Sequence, residues 1–378
     1  MHIPLSLYIH TPWCIRKCPY CDFNSHTAPS GLPEAEYLQA LLSDAEQELA
    51  LTKDRPIETV FIGGGTPSLL SPAFYQQLFD GLAERLVIQP QAEITLEANP
   101  GTAEAERFRG YRAAGINRLS MGIQSFQPQH LTRLGRIHDR EQALNAIELA
   151  QSAGFENMNL DLMHGLPEQT LEQALDDLKT ALSFQPAHLS WYQLTIEPNT
   201  EFYKRPPVLP EDDALWDIQE AGQALLKQQG YQHYEISAFC QPGRAARHNI
   251  NYWQFGDYIG IGAGAHGKIS DANGRVERRW KTRLPKDYLN PDKAFLAGRE
   301  TIAQEHIGLE CMMNALRLHD GIPLRLFEQR TGVELEQVQG TIQKAQSLGL
   351  LDVGEHLRAT DRGQQYLNEL LAMFLVDD

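Results

Sequence analysis

The chain has 378 residues, 42% of them hydrophobic, which is enough for one large domain and a smaller one. Its 33 basic and 49 acidic residues leave a formal charge of −16. That balance argues against nonspecific nucleic-acid binding, because phosphate neutralisation supplies most of that affinity. No apolar run approaches a membrane span, and Met1-His2-Ile3-Pro4 has no signal-peptide character, so a cytoplasmic protein with at most peripheral membrane contact is expected.

Short β-rich runs recur at 5–10, 59–64, 93–99, 118–123, 157–165 and 188–196. Helical patterns lie between them. In the first, Leu38, Leu41, Leu42, Ala45 and Leu49 fall at i, i+3, i+4 spacing behind Pro33, a helix-start residue. Strands alternating with helices predict an α/β fold with a parallel sheet. Six units are too few for an eight-stranded barrel, so an open, partial (β/α)6 barrel is expected over residues 1–205. From about 205 the repeat stops at Pro206-Pro207 and Pro210. Residues 212–229 read as a helix, 234–238 as an antiparallel strand, and 256–267 as a glycine-rich loop. We expect 206–290 to extend the barrel. Residues 291–378 read as a mainly helical, winged-helix-like C-terminal domain, with strand-like runs at 349–353 and 357–360 before a last helix. The acidity of the chain makes packing or partner contact its expected role, rather than DNA binding.

The most informative feature is C-x3-C-x2-C: Cys14, Cys18 and Cys21, in the loop after the first strand. Thiolate is the soft ligand iron–sulfur clusters require. Three cysteines this close can serve three irons of one cubane and leave the fourth open to a small molecule. This spacing marks radical S-adenosylmethionine (SAM) proteins. The alternative is a structural zinc knuckle, with His10 or His26 as a fourth ligand. Cys240 and Cys311 stand alone and read as buried, inert thiols. Other polar residues fall at the ends of the predicted strands, the edge that hosts ligands in parallel α/β folds. They include Gly63-Gly64-Gly65-Thr66-Pro67, Glu97, Gln124, Asp161 and Thr195. One shared site explains them better than separate coincidences.

Tyr8-Ile9-His10-Thr11-Pro12-Trp13-Cys14, Cys18-Pro19-Tyr20-Cys21, Gly63-Gly64-Gly65-Thr66-Pro67-Ser68, Leu160-Asp161-Leu162, Gly165-Leu166-Pro167 and His248-Asn249-x-x-Tyr252 together resemble the coproporphyrinogen-oxidase-like branch of the radical SAM proteins, and within it the HemW-type heme chaperones. The resemblance implies a [4Fe-4S] cluster on Cys14, Cys18 and Cys21 with SAM on the unique iron. It implies Tyr8 beside the cluster and Tyr20 near the adenine. Backbone groups of Gly64, Gly65 and Thr66 would meet the methionine amino group, and Glu97 the ribose hydroxyls. Arg136 would pair with the methionine carboxylate, with Gln124, Asp161 and Thr195 completing the polar contacts.

The oxidases carry a further cysteine two residues after the third ligand, where this chain has Phe23, and an N-terminal arm that is not expected here. The motif His248-Asn249-x-x-Tyr252 resembles the heme-binding motif of the chaperones. On a helix its His and Tyr would share a face, and His266 is a further candidate ligand. The expected function is therefore a heme chaperone that passes heme to respiratory heme proteins, with a homodimer among its expected states. The alternative is an oxygen-independent coproporphyrinogen III oxidase-type radical SAM oxidoreductase. A structural iron–sulfur or zinc protein is a third reading.

Overall fold

The computed structural model describes residues 3–52, 55–102, 104–271 and 274–375. Met1 and His2 lie outside them. Strands β1 (Leu5–Thr11), β2 (Ile57–Gly64), β3 (Ile88–Ala98), β4 (Arg118–Gln124), β5 (Met158–His164) and β6 (His188–Gln193) stand side by side in chain order, all parallel. Helices α1 (Glu34–Thr52), α2 (Pro72–Ala83), α3 (Ala105–Ala113), α4 (Pro128–Arg133), α5 (Arg140–Ser152) and α6 (Leu171–Ser183) connect them. The expected partial barrel is present. Two of its helices start in capping boxes, Asp139 with Gln142 and Thr170 with Gln173.

The strand sequences alternate in a way that fixes both faces of the sheet. Leu5, Leu7 and Ile9, Val60 and Ile62, Leu119, Met121 and Ile123, and Leu160 and Leu162 are buried in one core with helix residues such as Leu41, Leu78, Ile147 and Leu178. Each such side chain contributes about 1.5–3 kcal/mol when fully buried. The intervening residues point the other way, because side chains alternate along a strand. They are mostly polar: Ser6 and His10, Thr59, Glu93, Thr95 and Glu97, Ser120 and Gln124, Asn159 and Asp161, and His188 and Ser190, with Tyr8 stacked on Phe61 among them. The sheet thus puts its apolar face under the helices and a polar face inside the barrel.

The sheet is larger than six strands. β7 (Gln232–Glu235) and β8 (Ala238–Cys240) add an antiparallel hairpin beyond β6, with β8 next to it. At the other edge β9 (Asp257–Ile261) pairs parallel with β1, and β10 (His266–Ser270), β11 (Val276–Lys281) and β12 (Leu296–Thr301) continue antiparallel. This corrects the expectation of a loop over 256–267. The glycines there serve close strand packing: a Cβ on Gly260 would lie 2.1 Å from the His266 carbonyl oxygen. A buried ionic group ties this edge to α1, with Lys281 Nζ donating to Asp44 at 2.5 Å and to Glu48 at 2.6 Å.

Helix α7 (Asp212–Gln228) follows the barrel, and α8 (Arg247–Trp253) crosses the N-terminal ends of β1 and β2. A second core joins β7 and β8 to α9 (Gln304–Ala315), α10 (Leu324–Thr331), α11 (Leu335–Ser347) and a small sheet of Ile322–Pro323, Leu351–Val353 and His356–Ala359. Helices followed by a hairpin reproduce the winged-helix-like pattern. Cys240 and Cys311 are both buried in this core. Burial pushes the Cys311 thiol up to about 12, which leaves it protonated and inert. Among the described residues, no helix is long and apolar enough to cross a membrane.

Candidate cluster and cofactor site

Register brings the cysteine loop to the glycine run. Thr11, the last residue of β1, pairs with Gly64 at the end of β2, so the two loops leave the sheet together. Gly65 N donates to the Thr11 carbonyl at 2.6 Å, and Thr66 N to the Trp13 carbonyl at 2.7 Å. The approach is so close that a Cβ on Gly65 would lie 2.4 Å from the Trp13 oxygen. Gly64 itself has φ +110°, in the region that favours glycine. The glycines are therefore a backbone clamp on the cysteine loop. Thr66 Oγ1 adds a donor 3.5 Å from Cys14 Sγ.

Cys14, Cys18 and Cys21 form no disulfide, and all face one cavity of about 550 Å³. The same cavity is lined by Tyr20, Gly64, Gly65, Thr66, Glu97, Gln124, Arg136 and Asp161. Eleven residues singled out from the sequence thus meet in one space, drawn from β1 through β5 and the loops that follow them. Glu97 accepts a hydrogen bond from Gly64 N at 3.1 Å. Burial first, then the neighbouring Asp161 charge, push its carboxyl up to about 8, against the pull of that bond. Asp161 is also raised by burial, opposed by hydrogen bonds from Asn159 and Ser120 at 2.7 and 3.0 Å. Arg136 donates to the Gly122 carbonyl at 2.6 Å and reaches Cys18 Sγ at 3.7 Å, while its buried Nε has no partner. Gln124 has φ +69°, a strained conformation for a residue with a Cβ. Its Oε1 accepts from Tyr192 at 2.8 Å.

Four expected contacts lie elsewhere. Tyr8 does not line the cavity. Its hydroxyl is hydrogen-bonded to His10 Nδ1 at 2.9 Å, and its ring lies against Phe61. Thr195 is exposed and donates to Glu197 at 3.0 Å, because the chain has left β6 two residues earlier. His248 and Tyr252 do share a face of α8, but that face points into the protein. His248 is 1% exposed, with Nδ1 bonded to Thr59 Oγ1 and Nε2 to Tyr252 Oη, each at 2.7 Å. Both ring nitrogens are therefore occupied, and the pair plugs the N-terminal end of the barrel in this conformation.

The zinc alternative finds no support in the geometry. His10 spends its second nitrogen on the Asn24 carbonyl at 2.8 Å. Among the described residues, no three His, Cys, Asp or Glu side chains are grouped to hold a single ion. Thiols spread around a cavity wall suit a cluster of several irons better. The cavity also meets the needs of SAM: Arg136 for a carboxylate, carboxyl acceptors for a diol, and Tyr20 for a base.

Several lining residues were not singled out from sequence, among them Ser25, Ser120, Ser190 and Tyr192. The last three occupy inward positions of β4 and β6, so strand alternation could have found them. Glu235, Asn249 and Arg317 line the inner end, and Arg317 arrives from the C-terminal region with no local signal in the sequence.

The Radical SAM superfamily profile matches residues 8–181, and the HemN C-terminal domain profile residues 302–366. Over 375 residues the chain is 50% identical to heme chaperone HemW of Escherichia coli K12, covering 99% of each chain. The chain belongs to the HemW family. Within it, heme chaperone HemW of Haemophilus influenzae is 49% identical over 380 residues, again covering 99% of both. Outside it, the solved structure of coproporphyrinogen III oxidase (HemN) from Escherichia coli, a radical SAM enzyme, aligns with a TM-score of 0.83 at 25% identity, over 98% of this chain and 90% of that one. The HemW family thus shares its fold with the oxidase.

Proposed function

We propose that this chain is a heme chaperone: it binds heme in the cytoplasm and hands it to respiratory heme proteins, and it carries a [4Fe-4S] cluster and SAM in the barrel cavity. The observation that carries this reading is the full-length 50% identity to a heme chaperone, against 25% to the oxidase of the same fold. Phe23 supports it, standing where the oxidases have their further cysteine. It lines the cavity mouth and is 58% exposed.

Cys14, Cys18 and Cys21 would hold the cluster, which supplies an electron donor and an open iron for SAM's amino and carboxylate groups. Arg136 would hold the methionine carboxylate. Glu97 and Asp161 would bind the ribose hydroxyls, and Tyr20 would cover the adenine. The clamp of Gly64, Gly65 and Thr66 would keep the cysteine loop in place while its carbonyls accept from the N–H groups of SAM's amine. With its carboxyl raised to about 8, Glu97 is largely neutral at pH 7 and can donate as well as accept. The C-terminal region would contact a recipient protein or a second copy of the chain.

Arg136→Ala should weaken SAM binding by roughly 10- to 100-fold, the worth of a charge-assisted pair, and leave heme affinity unchanged. Equilibrium dialysis of SAM against both proteins reads the difference. The oxidase alternative has its own test. Cluster-reconstituted protein, anaerobic and supplied with SAM and a strong reductant, should leave coproporphyrinogen III unconverted. Repeated turnover to protoporphyrinogen would overturn the chaperone reading.

A further inference from the structure

One charged residue is packed where the fold calls for an apolar one. Helix α6 buries Ala174, Leu178 and Ala181 along one stripe, and Asp177 stands in the same stripe, 1% exposed. It does not line the cavity. Its carboxylate instead grips the turn that follows β4. Oδ2 accepts from Ser125 Oγ at 2.6 Å, and Oδ1 accepts from Phe126 N at 2.7 Å. Ser125 Oγ in turn accepts from Gln127 N at 3.0 Å. Arg140 donates to the Phe126 carbonyl at 3.1 Å. Ahead of the turn, His138 Nε2 is bonded to the Ile123 carbonyl at 3.2 Å.

The residue between these ties is Gln124. Its φ of +69° is one that a residue with a Cβ rarely adopts. The strand ladder is irregular at the same place: Gly122 lies opposite Asp161 but Gln124 opposite Leu162, so the register slips by one residue between them. A strained backbone persists only where its surroundings over-determine it, and such strain gathers at binding sites. Here it leaves Gln124 on the cavity wall, with Oε1 held by the Tyr192 hydroxyl at 2.8 Å. A carboxyl in a core position is unfavourable in itself. Burial pushes Asp177 up to about 7, with the bonds from Ser125 and Phe126 pulling the other way. Packing of α6 therefore does not account for it, whereas the grip on the turn does. We infer that Asp177 is a positioning residue for the cofactor site: by holding Ser125 and Phe126 it keeps Gln124 in its left-handed conformation, with the amide turned to SAM. The inference rests on the SAM-binding reading above and extends it to a residue on the helix face of the sheet.

The test is a double-mutant cycle, read by equilibrium dialysis of SAM against the cluster-reconstituted protein. Gln124→Ala should weaken SAM binding by roughly three- to tenfold, as loss of a neutral hydrogen bond does. Asp177→Ala should weaken it by a similar factor. The two together should bind no more weakly than Gln124→Ala alone, because Asp177 acts through Gln124. Asp177→Asn keeps an acceptor for Phe126 N and should bind SAM nearly as wild type does. Asp176→Ala removes the exposed neighbouring carboxylate and should leave SAM affinity unchanged. Iron content should match wild type in every variant. Should Asp177→Ala fail to fold, Ser125→Ala takes its place in the cycle with the same expectation. Losses that multiply in the double variant would make Asp177 a general support of the barrel and overturn the inference. Full SAM affinity in Gln124→Ala or in Asp177→Ala would overturn it too, while the SAM-binding reading stands. If wild type binds no SAM, that reading itself falls, and this inference with it.

Discussion

Replacing any one of Cys14, Cys18 and Cys21 with alanine is expected to remove the cluster outright. The reconstituted wild type should hold about four irons per chain, and each variant should fall close to background, because two thiolates cannot retain a cubane. The structure makes this a clean experiment. The three thiols are partly exposed on a cavity wall rather than packed in a core, so their removal opens no cavity. The loop keeps its backbone bonds, including His26 N to the Pro12 carbonyl at 2.7 Å and Ala28 N to the Cys14 carbonyl at 2.8 Å. Circular dichroism should therefore match wild type while iron content and visible absorbance collapse. A triple variant that keeps its iron and its absorbance would place the ligands elsewhere.

The second large effect expected is loss of stability in mild acid. Burial pushes the His248 ring down to about 3, and His164, His233 and His138 to about 4; His188 lies well below its ordinary value. Charge from Arg118 adds to the burial of His248 and His188. The unfolded chain protonates these rings near 6.5, whereas the folded protein resists until about 4 or lower. Between those values the unfolded state binds more protons, so stability falls with falling pH. Each such histidine contributes about 1.4 kcal/mol per pH unit. Buried carboxyls act in the opposite sense: Glu97 at about 8 and Asp177 at about 7 make the fold more stable as pH falls toward their unfolded values. Burial also raises Asp44, Asp161 and Glu235 and lowers His10, His26, His130, His266 and His319, so among the described residues ten lowered histidines stand against five raised carboxyls. The melting temperature should be highest near neutral pH and drop by many degrees by pH 5. A midpoint that is flat or rising from pH 7.5 to pH 5 would contradict this.

Much of the site was legible in the sequence because it is built on strand ends. Parallel strands in chain order bring the residues after each strand to one edge, so Cys14, Gly64, Glu97, Gln124 and Asp161 converge without knowledge of any long-range contact. Thr195 failed that logic because β6 ends at Gln193 and the chain turns away. Spacing alone also misjudged α8. The i, i+4 relation of His248 and Tyr252 was correct, but which way a seven-residue helix faces depends on Thr59 and Ser6, far away in the sequence. The glycines at 256–267 were read as a loop because glycine is usually a break. Here they admit a neighbouring strand, and the parallel partner that makes 257–261 a strand, β1, lies outside any local window. Arg317 was invisible for the same reason: it enters the cavity wall from a separately packed region.

The most direct test of the chaperone account is delivery. Protein loaded anaerobically with heme, its cluster intact, would be mixed with an apo-form respiratory heme protein, and the acceptor's own Soret band and activity would be followed. The account predicts that the acceptor gains heme as the donor loses it, faster than from free heme at the same concentration. Heme that stays on the donor, or reaches the acceptor no faster than free heme does, would contradict it.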